Sequence, residues 1–182
     1  MKTESTVKFV LRLALTLLAI TAVVAVLLAA VNQITAPIIA QRNEEKKQQA
    51  IQAVLPGGGE SVDFTDSTGI VAHVYRGEAG YAVEVVPMGF NGAITMMVGV
   101  DAQGEVLGIS IVNQTETAGL GAVCGADNSA GQAFRGQFIG MSGDLAVTKD
   151  GGAVDAITGA TITSRAVTAG INAALDCVEN LG

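Results

Sequence analysis

Ile94-Thr95-Met96-Met97-Val98-Gly99-Val100 is apolar at nearly every position and shows no alternating polar face. A strand of this kind is buried on both sides, so a second layer, expected to be helical, must cover each face of its sheet. Working outward, Val106-Leu107-Gly108-Ile109-Ser110-Ile111-Val112 follows after Asp101-Ala102-Gln103-Gly104, a connection rich in turn formers. Upstream, residues 70–75 and 81–86 are β-branched runs joined by Arg76-Gly77-Glu78-Ala79-Gly80. Together the four runs predict a four-stranded antiparallel meander.

Downstream, residues 131–141 hold Phe134, Phe138 and Ile139 around Arg135 and Gln137, the pattern of a short helix or docking segment. Leu145-Ala146-Val147-Thr148 predicts a last strand, closed by Lys149-Asp150-Gly151-Gly152. From Ser164 to Asn180, Val167, Ile171, Ala174, Leu175 and Val178 mark one face of a helix, although Gly170 weakens its propensity. With 23 glycines, few aromatics and no Trp, the core has to be built from Val, Ile, Leu and Ala between tight turns.

Before this domain, residues 13–31 are Leu, Ala, Val and Ile interrupted only by Thr16 and Thr21. Such a run approaches the roughly 20 apolar residues that span a bilayer and exceeds the apolar core of a signal peptide. No suitable cleavage site follows, since Ile34-Thr35-Ala36 runs into Pro37. An uncleaved anchor is therefore expected. Lys2, Lys8 and Arg12 precede it, whereas Arg42, Lys46 and Lys47 lie farther off among Glu44 and Glu45, so the N-terminus is expected in the cytoplasm and the domain outside it. Residues 37–55 read as a stalk helix that Pro56-Gly57-Gly58-Gly59 ends. The expected class is α+β: tip and transmembrane anchor over 1–36, stalk and Gly-rich hinge over 37–59, and over 60–182 one extracytoplasmic domain with an antiparallel sheet flanked by helices.

From Ile51 onward, fourteen carboxylates face four bases, Arg76, Arg135, Lys149 and Arg165. That balance argues against a nucleic-acid partner, which requires a basic face. Cys124 and Cys177 lack metal-ligand spacing; they suit either a disulfide or, the preferred reading, two buried thiols. His73 sits in a Val-rich strand, where a partly buried structural role is expected.

Two segments carry the chemistry. Asp155-Ala156-Ile157-Thr158-Gly159-Ala160-Thr161-Ile162-Thr163-Ser164 places four hydroxyls around a Gly-Ala pair at the start of the last helix. Small residues, unpaired amides and a positive dipole end suit a phosphate there, and Ser and Thr equally suit an ordinary helix cap. The loop Asn113-Gln114-Thr115-Glu116-Thr117-Ala118-Gly119-Leu120-Gly121 has the composition of a ligand-facing turn.

Asp155-x-x-Thr158-Gly159-Ala160-Thr161 resembles the flavinylation motif of the FMN-binding domain family, in which the last Thr carries FMN through a phosphoester. The Glu116-to-Gly121 segment resembles that family's Glu-Thr-Pro-Gly-Leu-Gly loop, with Ala118 in place of Pro, and residues 89–101 fit as well. Anchor included, the chain is most similar to the G-subunit family of Rnf ion-translocating ferredoxin:NAD oxidoreductases; the C subunits of sodium-translocating NADH:quinone reductases share the motifs. The resemblance implies FMN attached covalently to Thr161, with Thr158, Gly159 and Ala160 completing the motif and Glu116, Thr117 and Leu120 at the flavin. On this reading Thr158, Thr163 and Ser164 donate to the phosphate at a helix beginning near Thr163, and Glu116 serves as an acid or orients the loop. It also implies integral membrane redox subunits as partners, a flavin transferase for maturation, and electron transfer without autonomous turnover. A stand-alone membrane-anchored flavin shuttle and a cofactor-free assembly module are the alternatives.

Overall fold

A computed structural model describes residues 2–181, with side chains from Val7 onward. Lys2, one of the bases expected to fix the orientation, has its side chain outside that description. The chain divides into two units, Met1–Glu44 and Glu45–Gly182.

Helix α1 (Lys2–Val54) contains the one stretch among the described residues that is long and apolar enough to cross a membrane, with a mean hydropathy of 2.8 and no burial. Its threonines do not spoil that stretch. Thr16 Oγ1 donates to the Arg12 carbonyl at 2.7 Å, and the Thr21 and Thr35 hydroxyls donate to Leu17 and Val31, so each is satisfied within the helix. The expected boundary between anchor and stalk falls at Pro37. Pro37 lies inside a continuous helix, because a missing N–H costs one rung of the ladder while many turns on either side keep theirs.

In the second unit the meander has five strands: β1 (Glu60–Val62), β2 (Val71–Gly77), β3 (Gly80–Val85), β4 (Thr95–Val100) and β5 (Val106–Asn113), paired antiparallel in chain order. Four were expected. The addition, β1, pairs Glu60, Ser61 and Val62 with Arg76, Tyr75 and Val74; three residues with no apolar alternation give no periodic signal. Two α-helices follow, α2 (Ser129–Gly136) and α3 (Thr161–Glu179).

The sheet is covered on both faces. Val83, Val85, Met96, Val98 and Val100 pack toward α3, where Val167, Ile171, Ala174, Leu175 and Val178 are all buried. Gly170 has a packing role, since a Cβ there would lie 2.4 Å from Met96 Cε. On the other face Ala82 and Met97 pack against Ala50, Ile51, Val54 and Leu55, the C-terminal turns of α1. That helix end sits over a column of small residues. Ala82 pairs with Gly99 and Gly99 with Gly108, and a Cβ on Gly99 would lie 2.5 Å from the Val54 carbonyl oxygen. Beside this column Lys47 Nζ meets Glu84 Oε2 at 2.7 Å and lies 5.6 Å from the centre of the Tyr75 ring. His73 is exposed rather than partly buried, and its Nδ1 contacts the same Glu84 oxygen at 2.9 Å. Cys124 and Cys177 are free and buried.

Residues 145–148 do not form the expected strand. Only Val147 bridges, to Val154, and a 3-10 turn (Thr148–Asp150) follows at once. Asn172 of α3 takes the place of a strand partner: its Oδ1 accepts from Leu145 N at 3.0 Å and its Nδ2 donates to Leu145 O at 2.9 Å.

Gly99→Ala is expected to destabilise the detergent-solubilised chain by about 1–3 kcal/mol, the usual cost of forcing atoms into a close-packed contact. Gly104→Ala, on a turn with open space around it, should cost less despite its positive φ; denaturant titration of the two variants checks the order.

Candidate functional site

Three connections meet at the N-terminus of α3. The first is the loop leaving β5. Gln114 Oε1 accepts from Glu116 N at 2.6 Å, Thr117 O accepts from Leu120 N and Ala122 N, and Gly119 takes the positive φ of 76° that turns the chain. Ala118 precedes that glycine without backbone strain, so the closure does not depend on a proline there.

The second is the turn between β3 and β4. Gly89 N donates to Gly92 O at 2.8 Å, and Asn91 reaches across the site, its N–H donating to Glu116 Oε1 at 2.8 Å and its Nδ2 to Thr115 O at 3.2 Å. The third is the segment from Asp155 to Thr161. Gln137 holds its start by accepting from Asp155 N at 2.7 Å and donating to Asp155 O at 3.1 Å. Its end is folded over Ser164, whose Oγ accepts from Ile157 N and donates to Ala160 O, each at 3.0 Å.

Glu116, on the first, ties it to the second and to the first turn of α3. Besides Asn91 N, its carboxylate accepts from Thr163 Oγ1 at 2.5 Å, inside the protein. Glycine makes room for this pivot: a Cβ on Gly89 would stand 2.6 Å from Glu116 Oε1, and one on Gly121 2.5 Å from both Glu116 Oε2 and Thr163 Oγ1. Burial, with the Glu116 carboxylate adding to it and Arg135 opposing, pushes the Cys124 thiol up to about 11. It is therefore protonated at neutral pH and no nucleophile.

A hollow of about 360 Å³ opens beside the pivot. Glu116, Thr117, Leu120, Gly159, Ala160, Thr161 and Thr163 of the expected site line it, with Phe90, Gly121 and Ile162. Two expected residues lie elsewhere. Thr158 faces a neighbouring hollow with Gly119, Phe134, Gln137 and Asp155, and Ser164 is fully buried behind the helix start. Thr163 lines the wall but spends its hydroxyl proton on Glu116.

The helix begins at Thr161, two residues before the expected start, because the Ala160 carbonyl already accepts from Ser164 N. No side chain caps it. Its first amides and positive dipole end are thus left for whatever occupies the hollow. Lys149, which lies outside the motif, donates from Nζ to Thr161 Oγ1 at 3.0 Å. Its one signal in the sequence is isolation: it is the only lysine after Lys47.

Residues 89–176 match the FMN-binding domain model, and residues 1–54 match the RnfG N-terminal region. The G subunit of the Na+-translocating ferredoxin:NAD+ oxidoreductase complex of Acetobacterium woodii is 34% identical, covering 96% of this chain and 94% of that protein. The chain belongs to the G-subunit family of these ion-translocating complexes. Further members include the G subunit of the ion-translocating oxidoreductase complex of Methanosarcina acetivorans, 32% identical over 94% of this chain and 96% of the relative. The G subunit of the proton-translocating ferredoxin:NAD+ oxidoreductase complex of Clostridium ljungdahlii is 34% identical over 84% and 83%.

The hollow suits the group that the domain is named for. Phe90, Leu120 and Ile162, each at least 43% exposed, form an apolar rim for a flat ring system. Gly159, with φ 76° and its absent Cβ 3.0 Å from Leu120 Cδ2, keeps the floor open. The uncapped amides and Lys149 supply donors at the end where a phosphate would lie.

Glu116→Ala would strand Asn91 N and the Thr163 hydroxyl, at about 1–3 kcal/mol for each donor left without a partner. Glu116→Gln keeps one acceptor oxygen of the two and should fall between Glu116→Ala and the parent chain. Chemical denaturation of the three proteins orders them.

Proposed function

We propose that this chain is an electron-transfer subunit of a membrane-bound ion-translocating oxidoreductase complex and carries FMN covalently, through a phosphoester on Thr161. The observation that carries this reading is the position of Thr161: first residue of an uncapped helix, on the wall of an apolar-rimmed hollow, with a lysine ammonium at its hydroxyl. If residues 158–164 served only to cap α3, one of their hydroxyls would be expected at the N-cap. Ala160 holds that place, and the hydroxyls are used elsewhere.

Thr161 contributes the acceptor oxygen. Its Oγ1 forms a bond to phosphorus and loses the hydroxyl proton; the phosphoryl donor, an activated flavin phosphate such as a flavin dinucleotide, loses its nucleotide part with the bonding electron pair. A flavin transferase brings the two together. Bound FMN would supply the redox chemistry, with Phe90, Leu120 and Ile162 available to hold its ring and the helix end its phosphate. Thr158, Gly159 and Ala160 shape the segment for the transferase, and Thr117 and Leu120 border the ring.

Integral membrane redox subunits of the complex are the electron donor and acceptor. Lys8 and Arg12, ahead of the apolar stretch, support an N-terminus in the cytoplasm and an FMN-binding domain outside it. A tethered cofactor is retained there, where no cytoplasmic pool replaces a lost one.

Co-expression with a flavin transferase should give a chain heavier by one FMN less one water, with the increment on the peptide containing Thr161. Thr161→Ala should lack it and Thr158→Ala should retain at least part of it. A Thr161→Ala chain carrying the same increment would overturn the attachment site.

A further inference from the structure

We propose that Lys149 is the charge partner of the phosphoryl group at Thr161, held in position by an ion pair between Asp150 and Arg165; this rests on the assignment of Thr161 as the attachment residue. The turn bearing Lys149 is built to stay in place. Gly151 N and Gly152 N donate back to Thr148 O and Val147 O, and Gly152 packs so closely that a Cβ would stand 1.9 Å from the Ala146 carbonyl oxygen. Asp150 then fastens the turn to α3, accepting from Arg165 Nε and Nη2 at 2.6 Å each. The bidentate geometry fixes distance and orientation together. Arg165 follows Thr161 by one helical turn, so the contact that holds Asp150 carries the preceding residue, Lys149, to the Thr161 hydroxyl.

Charge gives the arrangement its purpose. A phosphodiester keeps one negative charge, and the domain around it is acidic, with Lys149 the only lysine beyond Lys47. In the unmodified chain the ammonium donates to Thr161 Oγ1. After the ester forms, that oxygen bridges to phosphorus, and the charged oxygens come within reach of the same flexible, three-donor group. Arg165 is committed to Asp150, whose carboxyl the guanidinium holds below the ordinary carboxylate range. The ion pair is therefore intact at neutral pH and is lost only as the pH falls through that lowered value.

The test uses the full chain in detergent with purified flavin transferase and flavin dinucleotide, following intact mass over time. Lys149→Gln is expected to slow modification roughly two- to five-fold at low salt, Lys149→Glu more, and Lys149→Arg least, in keeping with an exposed charge pair. The gap between the parent chain and Lys149→Gln should narrow as salt is raised. The phosphorus NMR resonance of the finished diester should move in Lys149→Gln, a change that a contact between Lys149 and the transferase alone would not produce. Equal melting temperatures of the unmodified chains would show that the fold is unchanged. If Lys149→Gln and Lys149→Glu were modified at the parental rate with an unmoved phosphorus resonance, the role of Lys149 would be overturned while Thr161 stood. If the parent chain gained no FMN on Thr161, the attachment reading itself would fall, and this proposal with it.

Discussion

Two-sided burial of β4 is the constraint on which the rest of this domain depends. Met96, Val98 and Val100 point to one face and Met97 to the other, all without solvent contact. Neither face can be left to water, so the domain needs two covers. One is α3; the other is the C-terminal end of α1. The small-residue column Ala82, Gly99 and Gly108 lets the second cover approach to backbone contact, and Lys47 with Glu84 places a charge pair beside that apolar contact. Both are at least four-fifths buried, so losing one partner would leave the other costly to keep.

Covering β4 with α3 also builds the site. Once the helix lies across the sheet with Gly170 over Met96, its N-terminus is carried to where the loop leaves β5 and the chain turns between β3 and β4. Glu116 fastens these three segments through Asn91 and Thr163. The apolar rim and the polar end of the hollow are thus set by the same packing that stabilises the fold. The hollow opens at a helix terminus, where amide donors and dipole favour an anion.

Much of this could be read from residues 70–112, because strands of β-branched and apolar residues separated by Gly- and Asp-containing turns keep their period whatever packs on them. The face of α3 was equally plain from Val167, Ile171, Ala174, Leu175 and Val178. Where local signals were short or ambiguous, tertiary contacts decided. Glu60 to Val62 became a strand by pairing with β2, and Leu145 gave its backbone to Asn172 instead of a ladder. The exposure of His73 escaped the sequence because a strand position beside valines says nothing about which face it occupies when one register shift intervenes, as it does between Val71 and His73.

At the site, the sequence by itself determined the family and the segments: the loop from Glu116 to Gly121 and the motif ending at Thr161 are local patterns, legible because their glycines and hydroxyls have fixed spacing. Only the tertiary structure decided how those hydroxyls are spent. Thr163 turns to Glu116, 47 residues away, Ser164 folds inward to Ala160, Thr158 faces another hollow, and Thr161 meets Lys149. Spacing along the chain fixes which residues share a turn of helix. The partner each side chain finds depends on what the other elements bring against that turn, and this is settled by packing across the sheet.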